Sequence, residues 1–106
     1  MNFEQARYNM VEQQIRPWEV LDFGVLDVLM SVRREEFVPE IYKSLALSEA
    51  ETPLGHGGSM LIPVIEGKVL QAVQVKRSDK VLEIGAGSGY FAALLAAKAD
   101  WVRTVD

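Results

Sequence analysis

The sequence has no cysteine and a single histidine, His56. Without thiols there is neither a disulfide framework nor a thiolate metal site, and one imidazole alone does not make a metal centre. That composition fits a reducing cytosol, so a cytoplasmic location is the expectation. Long apolar runs are also missing. The longest, Tyr90 to Ala97, falls far short of the roughly 20 residues that span a bilayer. Glu4, Arg7 and Glu12 interrupt any apolar stretch a signal peptide would need. Positive charge is scarce: eleven Lys and Arg stand against fifteen Asp and Glu, a formal charge of −4. A general nucleic-acid binder needs a basic face to displace counterions from phosphates, so no nucleic-acid partner is expected, and no membrane either. Internal repeats and low-complexity segments are absent. At 106 residues, 49% hydrophobic and 25% charged, the chain has the material for one core and the composition of a globular protein.

The first third reads as helical. Asn2 followed by Gln5 resembles a capping box, in which two side chains each satisfy an orphan backbone N–H. A helix from about Phe3 should stop before Pro17, because a residue ahead of proline is pushed out of the α region. Leu21, Val25, Val28, Leu29 and Val32 then recur on one face of a 3.6-residue helix, and Phe37-Val38-Pro39 ends that region. Residues Ala50 to Ser59, with Pro53, Gly55, Gly57 and Gly58, should be mostly loop. Pro63 suits the first turn of another helix, along which Ile65, Val69, Ala72 and Val73 repeat at helical spacing.

The last segment carries the most information. Lys80-Val81-Leu82-Glu83-Ile84 reads as a short buried strand, Gly85-Ala86-Gly87-Ser88-Gly89 as a glycine-rich turn, Tyr90 to Lys98 as a helix and Trp101 to Val105 as a second strand. Strand, turn, helix, strand is a βαβ unit with parallel strands, which implies α/β architecture. Glycines at such a corner let a ligand approach the backbone, and open α/β sheets bind ligands at this edge. The dinucleotide fingerprint needs glycines at positions one, three and six; here they stand at one, three and five, with Tyr90 at six. The phosphate-binding loop fails too, since no Gly-Lys-Ser/Thr follows.

What remains, Glu83-Ile84-Gly85-Ala86-Gly87-Ser88-Gly89 with Asp106 ending the second strand, resembles the first motif of class I S-adenosylmethionine-dependent methyltransferases. The resemblance implies a Rossmann-like sheet and S-adenosyl-L-methionine as cofactor. The turn of Gly85, Ala86, Gly87, Ser88 and Gly89 would lie against its methionine part, with Glu83 near the ammonium and Asp106 at the ribose hydroxyls. Carboxylates suit a ligand that carries an ammonium and a sulfonium and no pyrophosphate.

A narrower resemblance covers nearly all 106 residues. Val20-Leu21-Asp22, Val25-Leu26, Val32-Arg33-Arg34-Glu35-Glu36-Phe37-Val38-Pro39, Pro53-Leu54-Gly55-His56-Gly57, Pro63 and its helix, and Val81-Leu82-Glu83-Ile84-Gly85 follow one another as in the protein-L-isoaspartate O-methyltransferases. The resemblance implies methylation of isoaspartyl carboxylates in damaged protein or peptide partners, a protein-repair activity. It also implies that residues 1–75 form a helical N-terminal region, with a substrate-side loop at 50–63, and that 76–106 begin the cofactor-binding domain. That domain would be truncated after its second strand, leaving a chain of little activity on its own that self-associates. One position departs. The family places a serine two residues before the proline of the third helix, where this chain has Leu61; Ser59 is the candidate substitute. A non-catalytic fragment or interaction module that keeps the scaffold is the alternative, and a nicotinamide-dependent enzyme is a more distant one. His56 reads as a hydrogen-bonded loop residue, Trp18 as packing at the helix break, Arg33-Arg34-Glu35-Glu36 as a solvated, mutually paired surface, and Ala92 to Ala97 as core against the sheet.

Overall fold

The structure, a computed structural model, describes residues 1–55, 57–85 and 87–105. Helix α1 (Phe3–Asn9) starts at Asn2, whose Oδ1 accepts the Gln5 N–H at 3.0 Å. Only half of the expected capping box forms, because the Gln5 amide turns to Asn9 Oδ1 instead. Nor does the helical path stop before Pro17. It widens into π turns over Met10–Ile15 and tightens into a 3-10 turn over Arg16–Trp18, where proline opens a new turn and its missing N–H costs nothing. The path ends at Glu19 in the left-handed region, φ 69°. The expectation that Trp18 packs at this break is corrected: it is 60% exposed, with Lys68 Nζ 5.5 Å from its ring centroid.

Helix α2 (Phe23–Ser31) is capped by Asp22, whose Oδ2 accepts the Val25 N–H. Val25, Val28 and Leu29 are buried as their spacing predicts, whereas Leu21 is exposed ahead of the helix. Two 3-10 segments follow, Arg34–Phe37 and Glu40–Leu45. The glycine- and proline-rich region is not plain loop: β1 (Thr52–Pro53) and β2 (Ser59–Met60) pair antiparallel, and Leu54 N–H donates to the Gly58 carbonyl. His56 lies outside the described residues.

Helix α3 (Pro63–Val73) begins with Pro63 in its first turn. Its apolar stripe faces the other way from what hydropathy suggests. Ile65, Val69 and Val73 are 39%, 41% and 52% exposed, while Pro63, Glu66, Gly67 and Leu70 are buried. Gly67 explains the choice: a Cβ there would sit 3.0 Å from Ile15 Cγ2, so only glycine lets α3 come this close to the N-terminal helical region.

Strands β3 (Lys80–Ile84) and β4 (Trp101–Val105) pair in parallel, Lys80 opposite Trp101 and Ile84 opposite Val105, with α4 (Tyr90–Ala96) as the crossover. This is the expected βαβ unit, preceded by helices. Because side chains alternate along a strand, Val81 and Val102 pack against the core. Leu82 and Ile84 point to the opposite face and are 60% and 77% exposed in this chain, where the sequence pattern reads as a buried strand. Leu94 and Leu95 of α4 are buried, but Ala96 and Ala97 are exposed, so only part of the alanine–leucine stripe is core. The core itself joins Met10, Ile15, Val20, Val25 and Leu29 to Leu70, Tyr90 and Leu94.

Candidate active site

A cleft of about 250 Å³ opens where β2, α3 and the glycine turn meet. One wall is Ser59, Met60 and Leu61, with Glu66 and Val69 of α3; the other is Glu83, Gly85, Gly87, Ser88 and Phe91. Several residues singled out from the sequence therefore come together around one space. Ser59 and Leu61, alternate positions of one extended segment, both reach it. Ala86 and Asp106 lie outside the described residues, as does His56.

The turn's backbone is shaped for open approach. Gly85 and Gly87 have φ of 85° and 56°, and a Cβ built on either meets nothing within 4 Å. These glycines are needed for conformation and not for packing, and the space beside them is free. Gly85 N–H donates to the Val105 carbonyl at 2.7 Å, which extends the β3–β4 ladder into the turn. Ser88 Oγ accepts the Tyr90 N–H at the start of α4. Glu83 shares the inner face of the sheet with Thr104, whose hydroxyl donates to Glu83 Oε1 at 2.7 Å, so its carboxylate is oriented beside the turn.

Beneath the cleft lies a polar cluster that the sequence reading missed. The expectation that Arg33, Arg34, Glu35 and Glu36 form one solvated, mutually paired surface holds only for the outer two, whose ion pair is exposed. Arg34 and Glu35 are buried. Glu35 takes Arg7 Nη2 at 2.6 Å on both oxygens. Arg34 donates through Nε to the Ala46 carbonyl at 2.6 Å, through Nη2 to the Leu61 carbonyl at 2.7 Å, and through Nη1 to Glu66. Its guanidinium also sits 4.8 Å from the centroid of the Tyr90 ring, which Phe37 meets edge-on. Burial pushes the Glu66 carboxyl above its ordinary value of 4.5 despite the opposing pull of Arg34, and it pushes the Tyr90 hydroxyl up to about 12. The available signal was a glutamate three residues into a proline-started helix among apolar neighbours, which periodicity alone treats as surface.

Comparison with known proteins decides the family. Residues 5–104 match the model of Protein-L-isoaspartate(D-aspartate) O-methyltransferase (PCMT). The chain belongs to the PCMT family. Among curated PCMT relatives, Protein-L-isoaspartate O-methyltransferase 1 of Rhodopseudomonas palustris (strain HaA2) is 42% identical over 105 residues, covering 99% of this chain and 43% of the relative. The Protein-L-isoaspartate O-methyltransferase of Opitutus terrae is 39% identical, over 98% of this chain and 46% of its own length. Protein-L-isoaspartate O-methyltransferase 1 of Pelobacter propionicus is 39% identical, over 100% and 49%. The chain thus spans a little under half the length of these PCMT relatives. A Plasmodium falciparum crystal structure, described as that of a PCMT in complex with S-adenosyl-L-homocysteine, superimposes with a TM-score of 0.70 at 19% identity. It covers 91% of this chain and 41% of that one. The fold is shared: N-terminal helices followed by a parallel βαβ pair. Among the described residues no helix is long and apolar enough to cross a membrane.

Proposed function

We propose that this chain carries the donor-binding turn and part of the acceptor wall of an S-adenosylmethionine-dependent protein carboxyl methyltransferase acting on isoaspartyl residues. The observation that carries the reading is the shared cleft: the glycine turn and Glu83 face the Ser59–Leu61 segment across one space. Free volume beside Gly85 and Gly87 supports close approach of a ligand to the backbone, and the lining residues described include carboxylates but no basic side chain, which suits a cationic donor. Glu83, Gly85, Ala86, Gly87, Ser88, Gly89 and Asp106 are the proposed donor contacts, with Ser59 proposed on the acceptor side. In this reading residues 1–75 shape the acceptor side and residues 76–106 begin the donor-binding part.

The donor would supply an activated methyl group on a sulfonium. An acceptor carboxylate is already a nucleophile, so methyl transfer to its oxygen would ask no general base of this chain and no proton need move. What the protein contributes is alignment. Leu61 cannot hydrogen-bond a carboxylate, so that task falls to Ser59 or to backbone donors.

Calorimetric titration of the chain with S-adenosylhomocysteine tests the reading, with NADH as control; if the reading frame encodes a longer protein, that protein is titrated as well. Saturable binding that Gly87→Val abolishes, followed by methylation of an isoaspartyl peptide, is the expected result. No binding by either form overturns it. Binding without methyl transfer would favour an interaction module that keeps the scaffold, the reading to which the apolar Leu61 points. Self-association is also proposed, through the edge of β3 that pairs with no strand among the described residues, beside the exposed Leu82 and Ile84; a monomer by light scattering at high concentration removes it.

A further inference from the structure

The buried cation beneath the cleft touches one wall directly and reaches the other through Tyr90, whose N–H donates to Ser88 Oγ of the glycine turn. Resting on the methyl-transfer reading above, we propose that Arg34 is a positioning residue of that reaction: its guanidinium fixes the spacing between the Ser59–Leu61 wall and the glycine-turn wall. The contacts are specific to each side. Nη2 holds the Leu61 carbonyl and Nη1 holds Glu66, both on the acceptor wall. The same group lies over the ring of Tyr90, its Cζ 4.8 Å from the centroid, and Tyr90 directly follows Gly89. Nε anchors the whole arrangement to the Ala46 carbonyl.

Charge pairing alone does not account for this arrangement. Replacing a buried ion pair by apolar residues of similar volume is often neutral or stabilising, whereas the guanidinium here also satisfies the Ala46 and Leu61 carbonyls, which methionine and leucine would leave without that donor. A guanidinium differs in geometry: its planar fork sets several acceptors at defined directions, and its face stacks on an aromatic ring. Lysine keeps the charge and loses that fork. In a reaction catalysed by alignment, a displacement of about 1 Å costs on the order of 100-fold in rate. A residue that sets the distance between donor and acceptor walls therefore acts on turnover more than on ligand affinity.

The test is Arg34→Lys in the protein expressed from its complete reading frame. Expected is S-adenosylhomocysteine affinity within threefold of the unsubstituted protein, acceptor KM within threefold, and kcat lowered at least tenfold. A second readout is independent of turnover. Because the sequence has no cysteine, spin labels placed at Ser59→Cys and Ser88→Cys report the width of the cleft directly; Arg34→Lys is expected to broaden or shift their distance distribution. Should Arg34→Lys fail to fold, the Arg34→Met/Glu66→Leu pair, which leaves no buried charge unmatched, is labelled in its place, with the same broadening expected. Unchanged kcat, or an unchanged distance distribution, overturns the role of Arg34 and leaves the methyl-transfer reading intact. Absence of both donor binding and methyl transfer in the unsubstituted protein overturns the two together.

Discussion

Two helical glycines allow one substitution to be predicted with opposite signs. Gly67 lies inside α3 and Gly24 in the first turn of α2. Glycine to alanine in a helix interior is favoured by about 1 kcal/mol through backbone entropy, so propensity alone stabilises both variants. Packing separates them. A Cβ at Gly67 meets Ile15 Cγ2 at 3.0 Å, Leu29 Cδ1 at 3.5 Å and Val20 Cγ1 at 3.7 Å. All three neighbours are buried, so a shift of several tenths of an ångström must be absorbed by filled core. Overpacking of this kind costs about 1–3 kcal/mol. The difference leaves Gly67→Ala destabilised by about 1 kcal/mol, which for a chain of this size lowers Tm by roughly 4–8 °C. At Gly24 the closest atom is Lys98 Nζ at 2.9 Å, the far end of a flexible chain that can swing away; the next is Asp22 Oδ2 at 3.2 Å. Gly24→Ala is therefore expected to be neutral or to gain up to about 1 kcal/mol. Urea titration and thermal melts followed by circular dichroism measure both. A Gly67→Ala variant more stable than the parent would refute the close-approach account of α3 and the reason given for its reversed face.

Gln71 clamps the chain ahead of α2: its Oε1 accepts the N–H groups of Leu21 and Asp22 at 2.9 and 3.0 Å, and its Nε2 donates to the Glu19 carbonyl. Gln71→Ala should lower stability by about 1–2 kcal/mol, read from the urea midpoint; a loss below 0.5, the order expected of an ordinary surface site, would contradict the clamp. Arg7→Met should cost about 3–5 kcal/mol, because Glu35 is left buried and unpaired, whereas Arg7→Met/Glu35→Leu should recover most of that loss. A double-mutant cycle showing simple additivity would count against a coupled pair. Glu66 gives a pH signature. Its carboxyl is raised above 4.5 in the folded chain, so over the interval just above 4.5 the native state holds more protons than the unfolded one. The stability this group contributes is present below 4.5 and is lost as pH rises through the folded value. Glu66→Gln should lack that component, and identical pH slopes for the two proteins would show the shift to be absent.

Elements with a local cause were legible from neighbouring residues. The β3–turn–α4–β4 order was legible because a β-prone run, a glycine cluster, an alanine–leucine run and another β-prone run each carry their own short-range signal. Pro63 marked the start of α3 because proline's missing N–H is tolerated there and nowhere deeper in the helix. The family resemblance was legible for the same reason, as motifs in order along the chain. Tertiary structure decided which faces are buried and which charges are paired. Hydropathy favoured Ile65, Val69 and Val73 as the inner face of α3, yet Gly67 and Glu66 turn inward: close approach needs the smallest residue, and Arg34 needs a counter-charge. Arg34 and Glu35, neighbours in a run that reads as surface, pair with Glu66 and Arg7, 32 and 28 residues away in sequence. No local pattern encodes such pairs, because the free energy that justifies burying a charge comes from a partner that only folding brings near.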